Sequence, residues 1–230
     1  MSGIKLKVCG MNLNTSEVAS LQPDYLGFIF YDKSPRFFNG KIPVLSSGIS
    51  KVGVFVNGSI EEISEKINKY KLDVVQLHGE ETPEFCKRLR NHFQNESIEL
   101  EVPLLSPSTS LRINSVEVWK VFGIRDSFDF KILEAYEDVV DKFLFDTKGK
   151  EKGGNGYTFN WEVLNKYPSK KPLVLSGGIG LEEIEDLKKI LNTKLPVHVI
   201  DVNSKFETEP GFKNINDLNK MIHWLKSVSD

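Results

Sequence analysis

Eight short runs of apolar residues recur along the chain, and they constrain its fold more than any other feature. Each run is dominated by Val, Ile, Leu or Phe, and the shorter runs show little alternation of polar and apolar positions. Strands with this pattern are buried on both faces, which is typical of a parallel sheet. We therefore predict strands at Lys5–Val8, Tyr25–Phe30, Lys51–Val56, Asp73–Leu77, Glu117–Phe122, Lys142–Phe145, Pro172–Leu175 and Val197–Val202.

Helical periodicity lies between several of these runs. In three stretches, apolar residues recur every three or four positions, which predicts amphipathic helices. Ser59 and Thr82-Pro83 supply N-cap and first-turn residues for two helices. Residues 39–50, after the second strand, are rich in Gly, Pro and Ser and give the weakest helical pattern. The three stripes consist of Ile60, Ile63 and Ile67; Leu181, Ile184, Leu187 and Leu191; and Leu218, Ile222 and Leu225.

Strand followed by helix, eight times without a break in composition, predicts the α/β class and a closed (β/α)8 TIM barrel. We expect one domain over residues 1–230. An open, doubly wound sheet is the alternative. The fifth strand follows at an unusually long distance, so we interpret residues 97–115 as an insertion, either a short hairpin or a loop. Within it, Ile98–Leu105 is apolar enough to form a further strand.

Charge and cysteine content exclude several classes of protein. The 30 basic and 32 acidic residues give a net charge of −2, so no field favours a nucleic-acid partner. No apolar run approaches the roughly 20 residues of a membrane span, and the first residues lack the apolar core of a signal peptide. Cys9 and Cys86 are too few for a disulfide scaffold, and no CxxC or HxxxH pair predicts a metal site. We expect a reduced, soluble, cytoplasmic protein.

The carboxyl ends of the predicted strands are where a barrel of this kind carries its chemistry. Cys9 follows the first strand, where it is either a base or nucleophile or a small core residue. Asp146 follows three apolar residues at the end of the sixth strand. Partial desolvation there favours the protonated carboxyl and suits an acid, whereas the alternative is an aspartate that braces a loop.

Further polar residues follow the second and fourth strands. Arg36 can bind a planar carboxylate with two hydrogen bonds, or it is a solvated loop charge. Gln76 and His78 place an amide and an imidazole near the same end of the barrel, and a structural role for His78 is equally compatible with the sequence.

Small residues cluster in the loops that follow the sixth, seventh and eighth predicted strands. Gly154 and Gly156 follow the sixth strand, Gly177 and Gly178 the seventh, and Asn203-Ser204 the eighth. Glycine-rich loops let backbone N–H groups approach an anion, and many barrels bind phosphate at this position. The three loops together predict a phosphate site.

Taken in order, the motifs of the chain resemble phosphoribosylanthranilate isomerase, and the resemblance covers nearly the whole sequence apart from the insertion. The segments that carry it are Lys7–Met11 (KVCGM), Gly27–Tyr31 (GFIFY) with Ser34–Arg36 (SPR), Val52–Asn57 (VGVFVN), Val75–Gly79 (VQLHG), Phe145–Thr147 (FDT), Gly153–Gly156 (GGNG) with Phe159–Trp161 (FNW), Leu175–Gly178 (LSGG), and Asp201–Ser204 (DVNS) with Glu209–Lys213 (EPGFK).

The resemblance implies an Amadori rearrangement in tryptophan biosynthesis, without a cofactor or metal. Asp146 would protonate the ribose ring oxygen as the general acid, and Cys9 would remove the C2 proton as the general base. Barrels of this kind occur as monomers and as homodimers, so both states stay open. By the same resemblance, the substrate would be bound by Arg36, Gln76, His78 and Asp201, and its phosphate by Gly154, Gly156, Gly177, Gly178, Asn203 and Ser204.

A few positions depart from the pattern of the family. They bear on phosphate and loop geometry rather than on the proposed acid or base. They are Asn155, Tyr157, Asn160, Asn203 and Lys205.

Three alternative functions are compatible with a barrel that binds phosphate in the loops after its last three strands. The dual-substrate isomerase of histidine biosynthesis uses a carboxylate where this chain has Cys9. Indole-glycerol-phosphate synthase needs an early catalytic lysine and glutamates, a pattern not seen here. A sugar-phosphate-binding protein on a retired enzyme scaffold would have no reason to keep both Cys9 and Asp146.

Overall fold

The computed structural model describes residues 3–96, 116–147 and 158–228. Eight parallel strands close into one barrel, in which each strand pairs with the next along the chain and the first pairs with the last. The predicted (β/α)8 fold is therefore confirmed, and the open sheet is wrong. The strands are β1 (Lys5–Val8), β2 (Tyr25–Ile29), β3 (Ser50–Phe55), β4 (Val74–Leu77), β5 (Glu117–Ile124), β6 (Lys142–Thr147), β7 (Leu173–Leu175) and β8 (Val197–Val202), each bounded within two residues of its prediction.

The helices begin at the predicted signals. Ser59 caps α2 in a reciprocal arrangement, with Ser59 Oγ accepting from Glu62 N at 3.1 Å and Glu62 Oε2 accepting from Ser59 N at 2.8 Å. Thr82 Oγ1 accepts from Phe85 N at the start of α3. The helices are α1 (Thr15–Ser20), α2 (Ile60–Tyr70), α3 (Pro83–Glu96), α4 (Ile184–Leu191) and α5 (Ile215–Ser227).

Helix and strand do not alternate at every step, contrary to the simple expectation. Residues 30–49 contain no helix, consistent with their content of Gly, Pro and Ser. Short 3₁₀ helices, Phe130–Tyr136 and Trp161–Lys166, stand in place of α-helices after β5 and β6. The predicted insertion at 97–115 and the loop glycines Gly154 and Gly156 lie outside the described residues.

An unpredicted hairpin follows β8. A single 3₁₀ turn, Ser204–Phe206, leads into β9 (Glu207–Glu209), which pairs antiparallel with β10 (Phe212–Lys213). Gly211 at the turn has a φ of +87°. This backbone conformation is one that glycine adopts without steric cost, which allows the tight reversal.

The barrel interior is layered. An apolar cluster enclosed by the strands forms its floor, with Trp119 fully buried and packed edge-on against Tyr25 at a ring separation of 5.1 Å. Two residues further along the chain, at the next inward-facing position of β1, β4, β6 and β8, the side chains are polar. The members of the floor are Tyr25, Val52, Val74, Trp119, Val121, Leu144, Val174 and Val199; the polar layer above it contains Lys7, Gln76, Asp146 and Asp201.

A second and larger apolar cluster lies between the strands and the surrounding helices. It fixes the strand positions that present the polar layer. No helix among the described residues is long and apolar enough to cross a membrane.

Candidate active site

A cavity of about 470 Å³ opens at the carboxyl ends of the strands, directly above the polar layer. Its walls come from strands and loops that are far apart in sequence. The predicted site residues among its lining are Cys9, Arg36, Gln76, His78, Asp146, Gly177, Gly178, Asp201, Asn203 and Ser204.

Cys9 follows β1 and is held by its backbone N–H, which donates to Val202 O at 2.8 Å. The residue is buried, and Gly27 on β2 leaves space for its side chain, because a Cβ at Gly27 would lie 2.9 Å from Cys9 Sγ. Burial raises the pKa of the Cys9 thiol, and the charges of Lys7 and Lys213 oppose that rise. The thiolate is therefore disfavoured by its surroundings but has two cations to stabilise it.

Lys7 lies two residues before Cys9 on the same inward face and is fully buried. Its Nζ donates to Asp201 Oδ2 at 2.8 Å, across the seam where β1 meets β8. Although burial alone would lower it, Asp201 and Cys9 hold the pKa of Lys7 above its usual value. Lys7 therefore stays charged beside the thiol.

Two buried oxygens at the cavity have no hydrogen-bond partner among the described residues, namely Asp201 Oδ1 and Gln76 Oε1. Burial raises the pKa of Asp201, with Lys7 acting against it. Unpartnered buried polar atoms are costly, and in a cavity they mark positions where a ligand can supply the missing donor. Hydroxyl groups are suitable donors.

Asp146 ends the inward face of β6 and is 5% exposed. Its Oδ1 accepts from Thr147 N at 2.8 Å, and its Oδ2 lies 3.4 Å from His78 Nε2. Gly177 packs closely against it, since a Cβ at Gly177 would lie 2.8 Å from Asp146 Oδ1. The carboxyl is thus held in one orientation next to an imidazole.

The loops after β7 and β8 expose backbone to the cavity. Gly177 and Gly178 have φ values of +90° and +65°, a region that side chains other than glycine rarely adopt. Ser204 begins the 3₁₀ turn that follows Asn203. Both loops line the same side of the cavity and can present N–H groups to an anion.

Comparisons with known proteins identify the family of the chain. The sequence model of the family described as N-(5'phosphoribosyl)anthranilate (PRA) isomerase matches residues 6–102 and 105–224. An N-(5'-phosphoribosyl)anthranilate isomerase of Parabacteroides distasonis is 38% identical over 96% of this chain and 92% of its own. One from Caldanaerobacter subterraneus is 34% identical over 98% of this chain and 99% of its own.

The chain belongs to the N-(5'-phosphoribosyl)anthranilate isomerase family. The predicted family and isomerase activity are confirmed. Solved structures bear out the barrel: the isomerase of Thermotoga maritima superimposes with a TM-score of 0.72 at 26% identity, over 97% of this chain and 99% of that one. The Thermus thermophilus isomerase gives 0.75 at 22% identity, over 98% and 100%.

In this member of the isomerase family, sequence reasoning missed three charged residues beside the cavity. Lys7 belongs to the motif KVCGM, and its spacing of two residues from Cys9 places both on the same face of a strand, which is a usable signal. Lys213 belongs to the motif EPGFK, which by itself indicates no role, and no local pattern distinguishes Glu207. Glu207 accepts from Arg36 Nη2 at 2.6 Å and from Lys213 Nζ at 2.7 Å. These partners are distant in sequence, so only the folded chain shows the contact.

The described residues contain no group of three or more His, Cys, Asp or Glu side chains that could hold a metal ion.

Proposed function

We propose that the cavity binds N-(5-phosphoribosyl)anthranilate and converts it to 1-(2-carboxyphenylamino)-1-deoxyribulose 5-phosphate by general acid–base catalysis. The observation that carries this assignment is the placement of Cys9 and Asp146. Both are buried, and they reach one cavity from β1 and β6. An aldose-to-ketose rearrangement needs an acid at a ring oxygen and a base at a neighbouring carbon, and this pair supplies both.

Asp146 would act first. Its proton passes to the ribose ring oxygen as the bond from that oxygen to C1 breaks, and the nitrogen lone pair forms a protonated Schiff base with C1. The contact between Asp146 Oδ1 and Thr147 N leaves Oδ2, beside His78, as the oxygen that can carry the proton. His78 would support the carboxyl while the proton moves.

Cys9 would act second. Its thiolate removes the C2 proton, and the electron pair moves to neutralise the Schiff base, giving an enolamine that tautomerises to the ketone. Because burial raises the pKa of Cys9, the thiolate is scarce at neutral pH, and Lys7 and Lys213 favour it electrostatically. We expect kcat/KM to rise with pH above neutrality, as the thiol loses its proton.

The remaining predicted residues would bind the substrate. Asp201 Oδ1 and Gln76 Oε1 would accept hydrogen bonds from ribose hydroxyls, and Arg36 would bind the anthranilate carboxylate. A related isomerase, 24% identical, has been solved with reduced 1-(o-carboxyphenylamino)-1-deoxyribulose 5-phosphate. For the phosphate we propose the backbone at Gly177, Gly178, Asn203 and Ser204; Gly154 and Gly156 remain predicted members of this site.

Both steps are proton transfers, so we propose a reaction without a cofactor. A reduced thiol base is consistent with action in the cytoplasm. We keep the proposal of a monomer or homodimer; the Thermotoga maritima relative, 25% identical, is described as dimeric. Sedimentation of the full chain decides between the two states.

The test follows the loss of phosphoribosylanthranilate fluorescence in the unmodified protein, Cys9→Ala and Asp146→Asn. Each variant should lose about 100-fold to 10,000-fold in kcat with its fold intact. Cys86→Ala is the matched cysteine control, because Cys86 is buried in α3 away from the cavity, and Asp129→Asn is an exposed aspartate control. Binding of the reduced product analogue without any turnover by the unmodified protein would instead indicate a binding protein on the same scaffold.

A further inference from the structure

The guanidinium of Arg36 is already held by a second charged residue before any substrate is considered. Arg36 Nε lies 2.9 Å from both carboxylate oxygens of Glu207, and Nη2 lies 2.6 Å from Glu207 Oε2. The side chains are 12% and 4% exposed, so the pair is largely removed from water. Charge-assisted, two-pronged hydrogen bonds of this kind fix both distance and plane.

Lys213 completes a triad with this pair. Its side chain is fully buried, and its Nζ donates to Glu207 Oε1 at 2.7 Å and to Asn203 Oδ1 at 2.8 Å. The backbone of Lys213 is also fixed, because Asn14 accepts from its N–H at 2.9 Å and donates to its carbonyl at 3.0 Å. Burial lowers the pKa of Lys213 to about 8, with Glu207 opposing the fall, so Lys213 is mostly charged at neutral pH.

The triad of Arg36, Glu207 and Lys213 contains two cations and one anion. Arg36 and Glu207 alone would form a neutral pair with little attraction for a further carboxylate. Lys213 shares Glu207 and leaves one positive charge uncompensated within the triad. That excess matches the single charge of a carboxylate.

The geometry also leaves one edge of Arg36 open. Glu207 occupies the edge formed by Nε and Nη2. Nη1 makes no hydrogen bond to the part of the chain that the structure describes, and Arg36 lines the cavity. The edge formed by Nη1 and Nη2 can therefore accept a second carboxylate side by side with the first.

We infer that Glu207 and Lys213 are positioning residues that set the specificity for the ortho-carboxylate of the substrate. Glu207 fixes the guanidinium so that its free edge serves the ligand, and Lys213 supplies the charge that Glu207 would otherwise cancel. The inference rests on the proposed function, in which Arg36 binds that carboxylate. The competing explanation is a purely structural ion cluster that fastens the β9–β10 hairpin to the barrel.

A pair of ligands separates the two explanations. One is reduced 1-(o-carboxyphenylamino)-1-deoxyribulose 5-phosphate, and the other is its phenylamino counterpart without the carboxylate. We would measure both affinities by calorimetry for the unmodified protein, Lys213→Met and Lys213→Gln. The glutamine removes the charge and keeps a hydrogen-bond donor on a side chain that is one atom shorter, which guards against a methionine variant that fails to fold.

We expect both Lys213 variants to bind the carboxylated ligand about 30-fold or more weakly, and the other ligand within about threefold of the unmodified protein. Glu207→Gln should raise KM by a larger factor than it changes kcat, because Arg36 loses the partner that fixes its plane whereas the proposed acid and base make no direct contact with Glu207. Lys142→Met is the matched control. It removes a buried lysine paired with Glu117 at the opposite end of the barrel, and it should leave the ligand preference unchanged.

Equal weakening of both ligands in Lys213→Gln, or a fall in kcat rather than a rise in KM in Glu207→Gln, would overturn the inference while leaving the proposed function intact. Failure of the unmodified protein to turn over phosphoribosylanthranilate would overturn the proposed function itself, and the inference with it.

Discussion

At the N-terminal end of the barrel, Glu117 Oε2 accepts from both Trp119 Nε1 at 2.8 Å and Lys142 Nζ at 2.5 Å, and the lysine lies over the indole ring. At the C-terminal end of the barrel, where the cavity opens, Lys7 and Asp201 also form an ion pair. There, however, Asp201 Oδ1 and the nearby Gln76 Oε1 have no hydrogen-bond partner among the described residues. The two ends bury similar chemical groups. One end satisfies them internally and serves stability, whereas the other leaves acceptors for a ligand.

The largest expected effect on turnover comes from replacing Lys7 and Asp201, the ion pair below the cavity, by apolar residues. Lys7→Met combined with Asp201→Leu should leave the free energy of unfolding unchanged or raise it, since buried ion pairs often stabilise less than apolar packing. Turnover should fall by about 1,000-fold, because Cys9 loses a cation and the substrate loses an acceptor. Urea unfolding and the fluorescence assay measure the two effects. Strong destabilisation with activity retained would mean that Lys7 and Asp201 serve stability rather than function, contrary to this comparison.

Trp119→Ala should have the opposite effect, with a large loss of stability and little change in activity. The indole is fully buried in the barrel floor, so truncation leaves a cavity and should cost about 3 kcal/mol or more. We expect kcat/KM per folded molecule to change by less than about tenfold. Trp224→Ala, on the half-buried face of α5, is the control with a smaller expected loss. A loss below about 1 kcal/mol for Trp119→Ala would mean that the floor is not a stability element.

Gly177→Ala tests whether the cavity end of the barrel depends on a fixed orientation of Asp146. The new Cβ, at a φ of +90°, would clash with Thr147 Oγ1 and would lie 2.5 Å from Thr147 N and 2.8 Å from Asp146 Oδ1, so the end of β6 and the carboxyl must move. We expect kcat to fall by about 10-fold to 100-fold, with more than about 1 kcal/mol of lost stability because a backbone atom is among the clashes. Gly48→Ala is the matched control, because a Cβ there meets no atom within 4 Å. Equal kinetics for the two variants would show that the orientation of Asp146 does not limit the rate.

The smallest effect concerns pH. Although burial alone would raise the pKa of Glu117, hydrogen bonds from Lys142 and Trp119 hold it below the usual value. A carboxyl with a depressed pKa stabilises the fold at neutral pH and loses that contribution as pH falls through its titration range. Glu117→Gln should therefore cost at most about 1 kcal/mol at neutral pH, since the side chain is partly exposed, and nothing in acid. A difference that is constant across pH would contradict this account.

Local signals in the sequence predicted the strands and the start of α2. Strand bounds agree because uninterrupted apolar runs set them, and Ser59 with Glu62 forms its cap within four residues. The pairs around the cavity have no local signal. Lys7 and Asp201 are 194 positions apart, and Arg36 and Glu207 are 171 apart. Position after a strand makes Cys9 and Asp146 candidates, the family resemblance implies their roles as base and acid, and closure of the barrel brings them to one cavity.

The pairing of β1 with β8 joins the first strand of the barrel to the last. Lys7 lies on the first strand of the barrel and Cys9 follows it, whereas Asp201 lies on the last strand and Lys213 follows that strand. Lys213, one of the two cations near Cys9, and Asp201, the partner of Lys7, therefore come from the last part of the barrel. The pairing of β1 with β8 joins the two paired strands that are furthest apart in sequence, so it carries the largest loop-closure entropy in the barrel. We therefore expect a fragment that lacks β8 to show no turnover, because it contains neither Asp201 nor the strand that closes the barrel beneath the cavity.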